Sequence, residues 1–280
     1  MIFPVLNVQM KVLSGSIVVN TITLTKVDLN LEGYQKDSGQ FFNSVNYAYK
    51  FKDALNPNYT YRLVIYNPNT GETDSAESPV ISNDPFTFVI PYFNNASSDI
   101  NIEGTTLITD VFNRVNGTAA PNAVTFEGYV RFHYIDSNLA SGTSSRQYAD
   151  WEFATFDANP GSSHFALSVS NLQFYYGIRN SLGTAEAGHA RYIDSCDFFV
   201  WAASQEYLNY RNVTTVQANS LSSDDIKPTY TNIKGKNVVG LFACRTMMQD
   251  TSVGFSSGSI DSMIISPVTA PCHILGPTGN

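Results

Sequence analysis

The sequence predicts a mainly β protein, a jelly-roll-like antiparallel β-sandwich with one or a few short helices. Strand-like runs of alternating apolar and polar residues recur along the chain, and clusters of Gly, Pro, Asn, Asp and Ser separate them. No fixed repeat or long linker interrupts the series. Roughly ten such runs separated by turn signals are typical of a β-sandwich. We expect one domain over residues 1–280, with an extended N-terminal arm.

The clearest strand signal lies at residues 122–136, where two sets of side chains alternate strictly. One face carries Val124, Phe126, Gly128, Val130, Phe132 and Tyr134, and the other carries Thr125, Glu127, Tyr129, Arg131 and His133. Such alternation indicates a strand with one buried side. The other strand-like runs are residues 14–34 (two stretches), 59–67, 86–93, 148–156, 164–178, 237–246 and 262–268. The part at 238–244 is apolar on both faces, as in a central strand.

One stretch, SCDFFVWAASQEYLNY at residues 195–210, predicts a short amphipathic helix instead. Apolar residues in and just before it follow the spacing of one helix face: Ile193, Cys196, Val200, Ala203 and Tyr207. Asp194 is placed to accept a hydrogen bond from the first free amides of this helix. Asp197 adds negative charge near the positive end of the helix dipole. We interpret Cys196 as a small buried apolar residue on the helix stripe.

The charge content limits the possible functions. Charged residues make up 14% of the chain, against about 25% in an ordinary soluble domain. So few charges predict that copies of the same protein cover much of the exterior. A secreted β protein with a Ser-, Thr- and Asn-rich surface is the alternative that this composition leaves open. The net charge is −8 and no basic cluster is present, so we expect no direct nucleic-acid binding.

The lack of a recognisable targeting signal and the spacing of the cysteines favour an intracellular protein. No apolar run approaches the ~20 residues of a membrane span, so we expect no membrane partner. The N-terminus does not have the pattern of a secretory signal peptide. The three cysteines are Cys196, Cys244 and Cys272, with no CxxC pair among them. We expect three free thiols in a reducing compartment, although intermolecular links remain open.

The sequence favours a protein that is not an enzyme, with no cofactor and no metal. No HExxH or phosphate-binding GxxxxGK[ST] motif occurs. His189, Asp194 and Cys196 fit no common zinc spacing. Glu127 and Glu152 would form a glycosidase pair only if their strands were neighbours.

Carbohydrate binding is a further possibility, because exposed aromatic rings on a sandwich can stack on sugars. Trp151 and Trp201 are the candidate residues. Both lie beside apolar patterns, which favours positions in the core or in an interface.

Several segments, in this order, resemble the insect-virus polyhedrins, in particular those of cypoviruses. The aromatic run YADWEF is followed by FALSVSN, by the polar loop NSLGTAEAGHA and by SCD, which opens the predicted helix of aromatic and small residues, and FNSVNYAYKFKDALNPNYTYRLVIYN lies upstream. Such polyhedrins begin with a projecting helix, whereas Pro4 and the β-branched residues of this N-terminus predict an extended segment. A lattice tied by strand exchange, or a distant branch of the family, would accommodate this departure.

The resemblance implies a structural matrix protein of viral occlusion bodies. Homotrimers would pack into an intracellular crystal that embeds and protects virions, in the cytoplasm of the infected cell rather than in the nucleus. The predicted helix would then contact a neighbouring subunit through Gln205, Glu206 and Asn209. Bulky replacements of Gln205 and Glu206 would block crystals while the subunit still folds.

The resemblance also implies dissolution at alkaline pH, as in the insect gut. Tyrosine ionises near pH ~10 and burial raises that value, so clustered tyrosinates would repel one another in an already anionic subunit. The candidate pH-sensitive residues are Tyr47, Tyr49, Tyr59, Tyr61, Tyr66, Tyr175 and Tyr176.

Two alternative functions share the β-rich pattern. A jelly-roll capsid or shell protein would show the same sparse charge, and closed particles in micrographs would identify it. A secreted carbohydrate-binding module would be a soluble monomer that binds glycans.

Overall fold

A computed structural model describes residues 5–34, 46–82, 87–89, 99–100, 102, 112–159, 161–218, 230–236 and 238–276. Strands make up 50% and helices 18% of it, and the described residues contain three α-helices. Its strand pairs are antiparallel. The prediction of a mainly β, antiparallel protein consistent with a β-sandwich is confirmed. The jelly-roll order stays a prediction.

The described elements have the following bounds. The strands are β1 Asn7–Ser14, β2 Ile17–Thr23, β3 Thr25–Asp28, β4 Tyr47–Lys50, β5 Thr60–Asn67, β6 Glu72–Pro79, β7 Thr87–Val89, β8 Phe112–Thr118, β9 Thr125–Asn138, β10 Ser144–Asp157, β11 His164–Ser170, β12 His189–Ala203 and β13 Arg245–Gly254. The α-helices are α1 Asn171–Leu182, α2 Gln205–Ala218 and α3 Ser257–Ile265. Of the predicted strand at 86–93, only β7 lies within the described residues.

The chain divides into two compact units. Unit 1 comprises Met1–Ile81 and Ser204–Cys244, and unit 2 comprises Ser82–Ala203 and Arg245–Asn280. The single domain over residues 1–280 stays a prediction.

Unit 1 is built on a four-stranded sheet in the order β2-β1-β5-β6. Its core contains Val8, Met10, Val12, Leu24, Tyr61 and Val80. The alternating residues of β1 supply three of these six side chains, as a half-buried strand should. The extended N-terminal region is therefore a paired strand from Asn7 onward, with a neighbour on each side.

Unit 2 contains a four-stranded sheet, β10-β9-β12-β13, and a three-stranded sheet, β11-β8-β7. Phe126 of β9 and Phe165 of β11 stack with ring centroids 4.4 Å apart, which joins the two sheets through one core. Phe126, Val130 and Phe132 of β9 are fully buried. The predicted alternation of residues 122–136 is thus confirmed on its apolar face.

Helix α1 replaces part of a predicted strand. The run at 164–178 is a strand only to Ser170, where a capping box begins the helix. The Ser170 hydroxyl accepts from the Gln173 amide (3.1 Å), and the Gln173 side chain accepts from the Ser170 amide (2.9 Å). These bonds satisfy two groups that a helix start leaves unpaired. The Ser-x-x-Gln pattern was the signal for this helix.

The helix predicted at 195–210 is wrong for most of its length, because residues 189–203 form β12. Cys196, Phe198, Val200 and Ala202 alternate on its buried face. The register shifts between Ile193 and Ser195, and this bulge adds one residue to the spacing. The bulge therefore turned a period of two into an apparent helical spacing. The helical prediction holds only from Gln205, where α2 begins.

Two further predicted strands are wrong. Residues 238–244 form an irregular segment that pairs with no described strand. A side chain, instead of a neighbouring strand, bonds the backbone of its residue Phe242. The side chain of Asn232 donates through Nδ2 to the Phe242 carbonyl (2.7 Å), and its Oδ1 accepts from the Phe242 backbone amide (2.8 Å). The predicted strand at 262–268 lies largely in α3, whose start is capped by the Ser256 hydroxyl.

Candidate functional site

The candidate site is the face of the sheet β10-β9-β12-β13 that lies opposite the core. We call this surface the outer face. The strand registers place these side chains on it: Thr125, Glu127, Tyr129, Arg131, His133, Tyr148, Asp150, Glu152, Asp197, Phe199, Trp201, Arg245 and Met247. Tyr129, Phe199 and Trp201 are half-buried and Tyr148 is exposed. The outer face therefore combines aromatic rings with charged groups.

Arg131 is the centre of one charge pair on the outer face. Its Nε and Nη2 donate to Oδ1 and Oδ2 of Asp150 at 2.7 and 2.8 Å. Its guanidinium lies 4.4 Å from the ring centroid of Tyr148. The hydrogen bond to Asp150 raises the pKa of Arg131 above its ordinary value, against an opposing effect of burial. A two-pronged bond of this kind holds both side chains in one orientation.

A second charge pair joins β9 to β13. Arg245 Nη2 donates to Glu127 Oε2 at 2.7 Å, and Glu127 is 3% exposed. The Arg245 guanidinium also lies 4.7 Å from the ring centroid of Trp201. A carboxylate buried to this extent needs such a partner, because an unpaired buried charge is costly.

Two further acids of the outer face, Glu152 and Asp197, are also engaged within unit 2. The Tyr129 hydroxyl donates to Glu152 Oε2 at 2.8 Å. Asp197 lies 2.8 Å from His133 Nε2 and accepts from the Ser252 amide at 2.8 Å. The carboxylates of Glu127, Asp150, Glu152 and Asp197 thus have partners already in place.

These positions bear on two predictions from the sequence, the carboxylate pair Glu127 and Glu152 and the sugar-stacking tryptophans Trp151 and Trp201. Glu127 and Glu152 do lie on neighbouring strands and on the same face, but their carboxylates are bonded to Arg245 and Tyr129. Trp201 lies on the outer face, whereas Trp151 packs inward against Phe132.

The structure does not bring together the metal-ligand candidates His189, Asp194 and Cys196. Asp194 is exposed and pairs with Arg146 at 2.8 Å, so it does not cap a helix. Asp197 likewise lies within β12 instead of near a helix start. Cys196 points into the core and is fully buried. Within the described residues, no group of three His, Cys, Asp or Glu side chains is arranged to hold a metal ion.

A buried ionic cluster at the N-terminal end of β12 was not predicted from the sequence. Arg191, 7% exposed, donates to Asp136 Oδ2 (3.1 Å) and to the carbonyls of Leu182 (2.9 Å) and Gly183 (2.8 Å). His189 Nδ1 lies 2.5 Å from the other Asp136 oxygen. Burial acts to raise the pKa of Asp136, but the hydrogen bonds from His189 and Arg191 outweigh it and hold that pKa below its ordinary value.

The seven candidate tyrosines occupy different environments. Tyr61 and Tyr175 are buried, Tyr49 and Tyr59 are half-buried, and Tyr47, Tyr66 and Tyr176 are exposed. The hydroxyl of Tyr175 donates to a backbone carbonyl (2.8 Å), and those of Tyr49 and Tyr61 accept from backbone amides (3.0 Å each). Their role in assembly stays a prediction.

The predicted contact residues Gln205, Glu206 and Asn209 lie in the first turns of α2. The Gln205 amide donates to Asn209 Oδ1 (2.9 Å), and Asn209 in turn donates to the Tyr230 hydroxyl (3.3 Å). Gln205 is exposed, whereas Glu206 and Asn209 are half-buried, and Glu206 Oε2 is buried without a hydrogen-bond partner among the described residues. The outward position expected of all three is therefore wrong for Glu206. Their contact with a neighbouring subunit stays a prediction.

The three cysteines are free thiols, as expected. Cys196 and Cys272 are fully buried and Cys244 is half-buried. Burial raises the pKa of all three thiols, most strongly for Cys196. Because the thiolate is the reactive form, these side chains are protected from exchange, and a link between subunits through Cys196 or Cys272 would require unfolding.

The fold and this face define a mainly β protein with a charged and aromatic sheet surface. No protein-family model matches the sequence, and a comparison with curated proteins finds no match. None of the helices in the described parts of the chain is both long and apolar enough to span a membrane.

Proposed function

We propose that this protein is a self-assembling structural protein, the matrix of a viral occlusion body of the polyhedrin type. The observation that carries the proposal is the outer face, where half-buried aromatic rings lie among charged groups that already have hydrogen-bond partners. Homotrimers packed into an intracellular crystal around virions, in the cytoplasm, are the proposed form of the assembly.

The pairing matters because an interface removes water from every group that it covers. An unpaired charge then loses its hydration without compensation, at a cost of several kcal/mol. The bidentate bond of Arg131 to Asp150 and the bond of Arg245 to Glu127 would persist under a covering subunit. Aromatic and arginine side chains are also the types that interfaces favour. The outer face therefore suits burial by another protein surface.

A substitution at the centre of the outer face tests this proposal. We expect Phe199→Glu to abolish intracellular crystals, or to reduce their number at least about tenfold, because burying an unpaired carboxylate costs several kcal/mol. The measurement is crystal counting in insect cells that express each variant. The matched control is Ile265→Glu, which adds the same charge at a 67% exposed position on α3.

Thermal melting of the purified subunits must show that both variants fold. Crystals of Phe199→Glu as abundant as those of the wild type would reject the outer face as a contact. Failure of the wild-type chain to form any crystal at high expression would reject the matrix function itself.

Alkaline dissolution is the second test of the matrix proposal. The exposed residues Tyr47, Tyr66 and Tyr176 are accessible to a neighbouring subunit, whereas Tyr61 and Tyr175 are buried within the subunit. We expect wild-type assemblies to dissolve above about pH 10, and the triple Phe variant at the exposed positions to dissolve about half a pH unit higher. Turbidity measured against pH reports this shift. The control is the double variant Tyr61→Phe/Tyr175→Phe. An unchanged pH midpoint of dissolution in the triple variant would contradict the role of the exposed tyrosines.

A second candidate function, carbohydrate binding, is favoured by the position of Trp201. Its half-buried indole lies on the outer face, where an aromatic ring can stack on a sugar. A wild-type protein that stays monomeric and binds a glycan in a screen, with binding lost in Trp201→Ala, would favour this function. Closed particles in micrographs would instead favour the shell-protein alternative.

A further inference from the structure

We propose that strand β2 is a docking edge that pairs antiparallel with β2 of a second copy, so that two sheets join into one. This inference rests on the proposed self-assembly and names a contact for it. It concerns unit 1 alone and is separate from the outer face. Strand β2 lies at one end of the sheet β2-β1-β5-β6. No described strand pairs with its outer side.

The exposure of β2 is unusual for an apolar strand. Six of its seven residues are exposed, among them Ile17 (68%), Val18 (44%) and Val19 (50%). Its sequence, IVVNTIT, contains no charge and no proline, and every residue except Asn20 is β-branched. Such a strand has high β-propensity and presents unpaired backbone groups, which is the combination that promotes pairing with another chain.

The other edge of the same sheet shows how an edge is protected. Strand β6 carries Glu72, Asp74 and Glu77 and ends at Pro79. Its residue Ser75 also forms a bridge to Lys234 that occupies part of the edge. Charges, proline and a covering segment are the usual means of preventing association through a strand edge. Among the edge strands of the two four-stranded sheets, β2 alone has no charged residue.

Two local features of β2 slightly oppose pairing. A register shift in the β1–β2 pair leaves Val19 without a partner on β1, and such a bulge adds twist to an edge. The Thr21 amide donates to the Asn20 side chain at 2.8 Å, so that this donor must be released if it faces the incoming strand. Neither feature places a charge on the edge.

A second copy of β2 is the occupant that this composition favours. Pairing centred on Asn20 would place Ile17 opposite Thr23, Val18 opposite Ile22 and Val19 opposite Thr21. Each pair consists of β-branched side chains, which stabilise one another across strands, and Asn20 would face Asn20. A charged strand from another protein would instead place its charges beside exposed aliphatic residues that offer no counter-charge.

The test compares the dimerisation of purified variants by analytical ultracentrifugation at neutral pH. We expect the double variant Ile17→Lys/Val19→Lys to raise the dimer Kd at least about 30-fold, because lysine on an edge strand opposes pairing. The control, Leu31→Lys/Leu55→Lys, makes the same charge change at exposed apolar positions of unit 1 and should leave Kd unchanged. A monomeric wild type, or equal effects of the two double variants, would overturn the proposal.

A cross-linking experiment keeps the proposal testable even if the lysine variant fails to fold. Asn20→Cys should form an intermolecular disulfide in mild oxidant within minutes, because directly opposed residues of paired strands lie within disulfide range. Leu31→Cys, at an 87% exposed position, is the control and should react far more slowly. Equal cross-linking of both variants, or none in either, would contradict pairing through β2.

The results also separate this proposal from the proposed function. Dimers that depend on β2, in cells that form no crystals, would support the edge contact and reject the matrix function. Crystals that persist in Ile17→Lys/Val19→Lys, with an unchanged dimer, would reject the edge contact and keep the matrix function.

Discussion

Replacing Arg191 by methionine is expected to lower the free energy of unfolding by about 3–5 kcal/mol, the range found when one partner of a buried ion pair is removed. Methionine keeps much of the apolar stem of Arg191 but none of its donors. Asp136 would then keep its hydrogen bond with His189 but lose the guanidinium. The carbonyls of Leu182 and Gly183, at the end of α1, would also lose the guanidinium that now bonds both.

The matched control for this prediction is Arg146→Met. Arg146 also pairs with an aspartate across two strands, Asp194, at 2.8 Å. That pair lies at the surface, with 71% of the Arg146 side chain exposed, and exposed pairs contribute about 0–1 kcal/mol. Urea unfolding of both variants measures the difference. Equal losses would show that burial of the Arg191 cluster does not determine its contribution.

The pH dependence of Arg191→Met gives a second readout. The pKa of Asp136 is lower in the folded protein than its ordinary value, so its ionised form stabilises the fold. This contribution is complete above about pH 4, the ordinary aspartate value, and it is lost as the pH falls through the folded pKa. Arg191→Met removes one cause of the low pKa. The gap in stability between the variant and the wild type should therefore be smaller near pH 3 than at pH 7.

The parts of the fold that could be predicted from sequence are those with an undisturbed period. Strand β9 keeps strict alternation over its whole apolar face, and Phe126, Val130 and Phe132 are buried as expected. In β12 the bulge near Asp194 breaks the phase, so a buried strand gave the spacing of a helix. The length of an apolar run is also insufficient by itself, because the backbone of Phe242 is satisfied by the Asn232 side chain without a neighbouring strand.

The candidate site was predictable only in its parts. Glu127, Glu152 and Trp201 were singled out by residue type, and all three lie on the outer face. Their partners Arg245 and Tyr129 could not be assigned, because pairing across strands depends on register, which alternation within one strand does not determine. The Arg191 cluster was missed for the same reason, since its contacts lie 55 residues away at Asp136 and 9 residues away at Leu182.

The two tryptophans should respond very differently to the same substitution. Trp151 is half-buried but lies on the core side of the sheet. We expect Trp151→Ala to lower the free energy of unfolding by about 3 kcal/mol, the lower end of the range for such changes in a core. Its ring stacks with Phe132 at 6.3 Å and meets Phe174 edge-on at 5.5 Å. It also fills a space that Gly177 leaves, because a Cβ added there would lie 2.4 Å from the indole.

Trp201→Ala removes the same atoms from the outer face and should cost about 1 kcal/mol, mainly through the lost contact with Arg245. Its larger effect should be on assembly, measured as the soluble fraction of the protein at neutral pH. Denaturant unfolding and sedimentation of both variants therefore distinguish Trp151, which stabilises unit 2, from Trp201, which would contact a neighbouring subunit. Equal destabilisation by the two substitutions would show that Trp201 supports the fold as much as Trp151 does, and would count against the outer face as a contact surface.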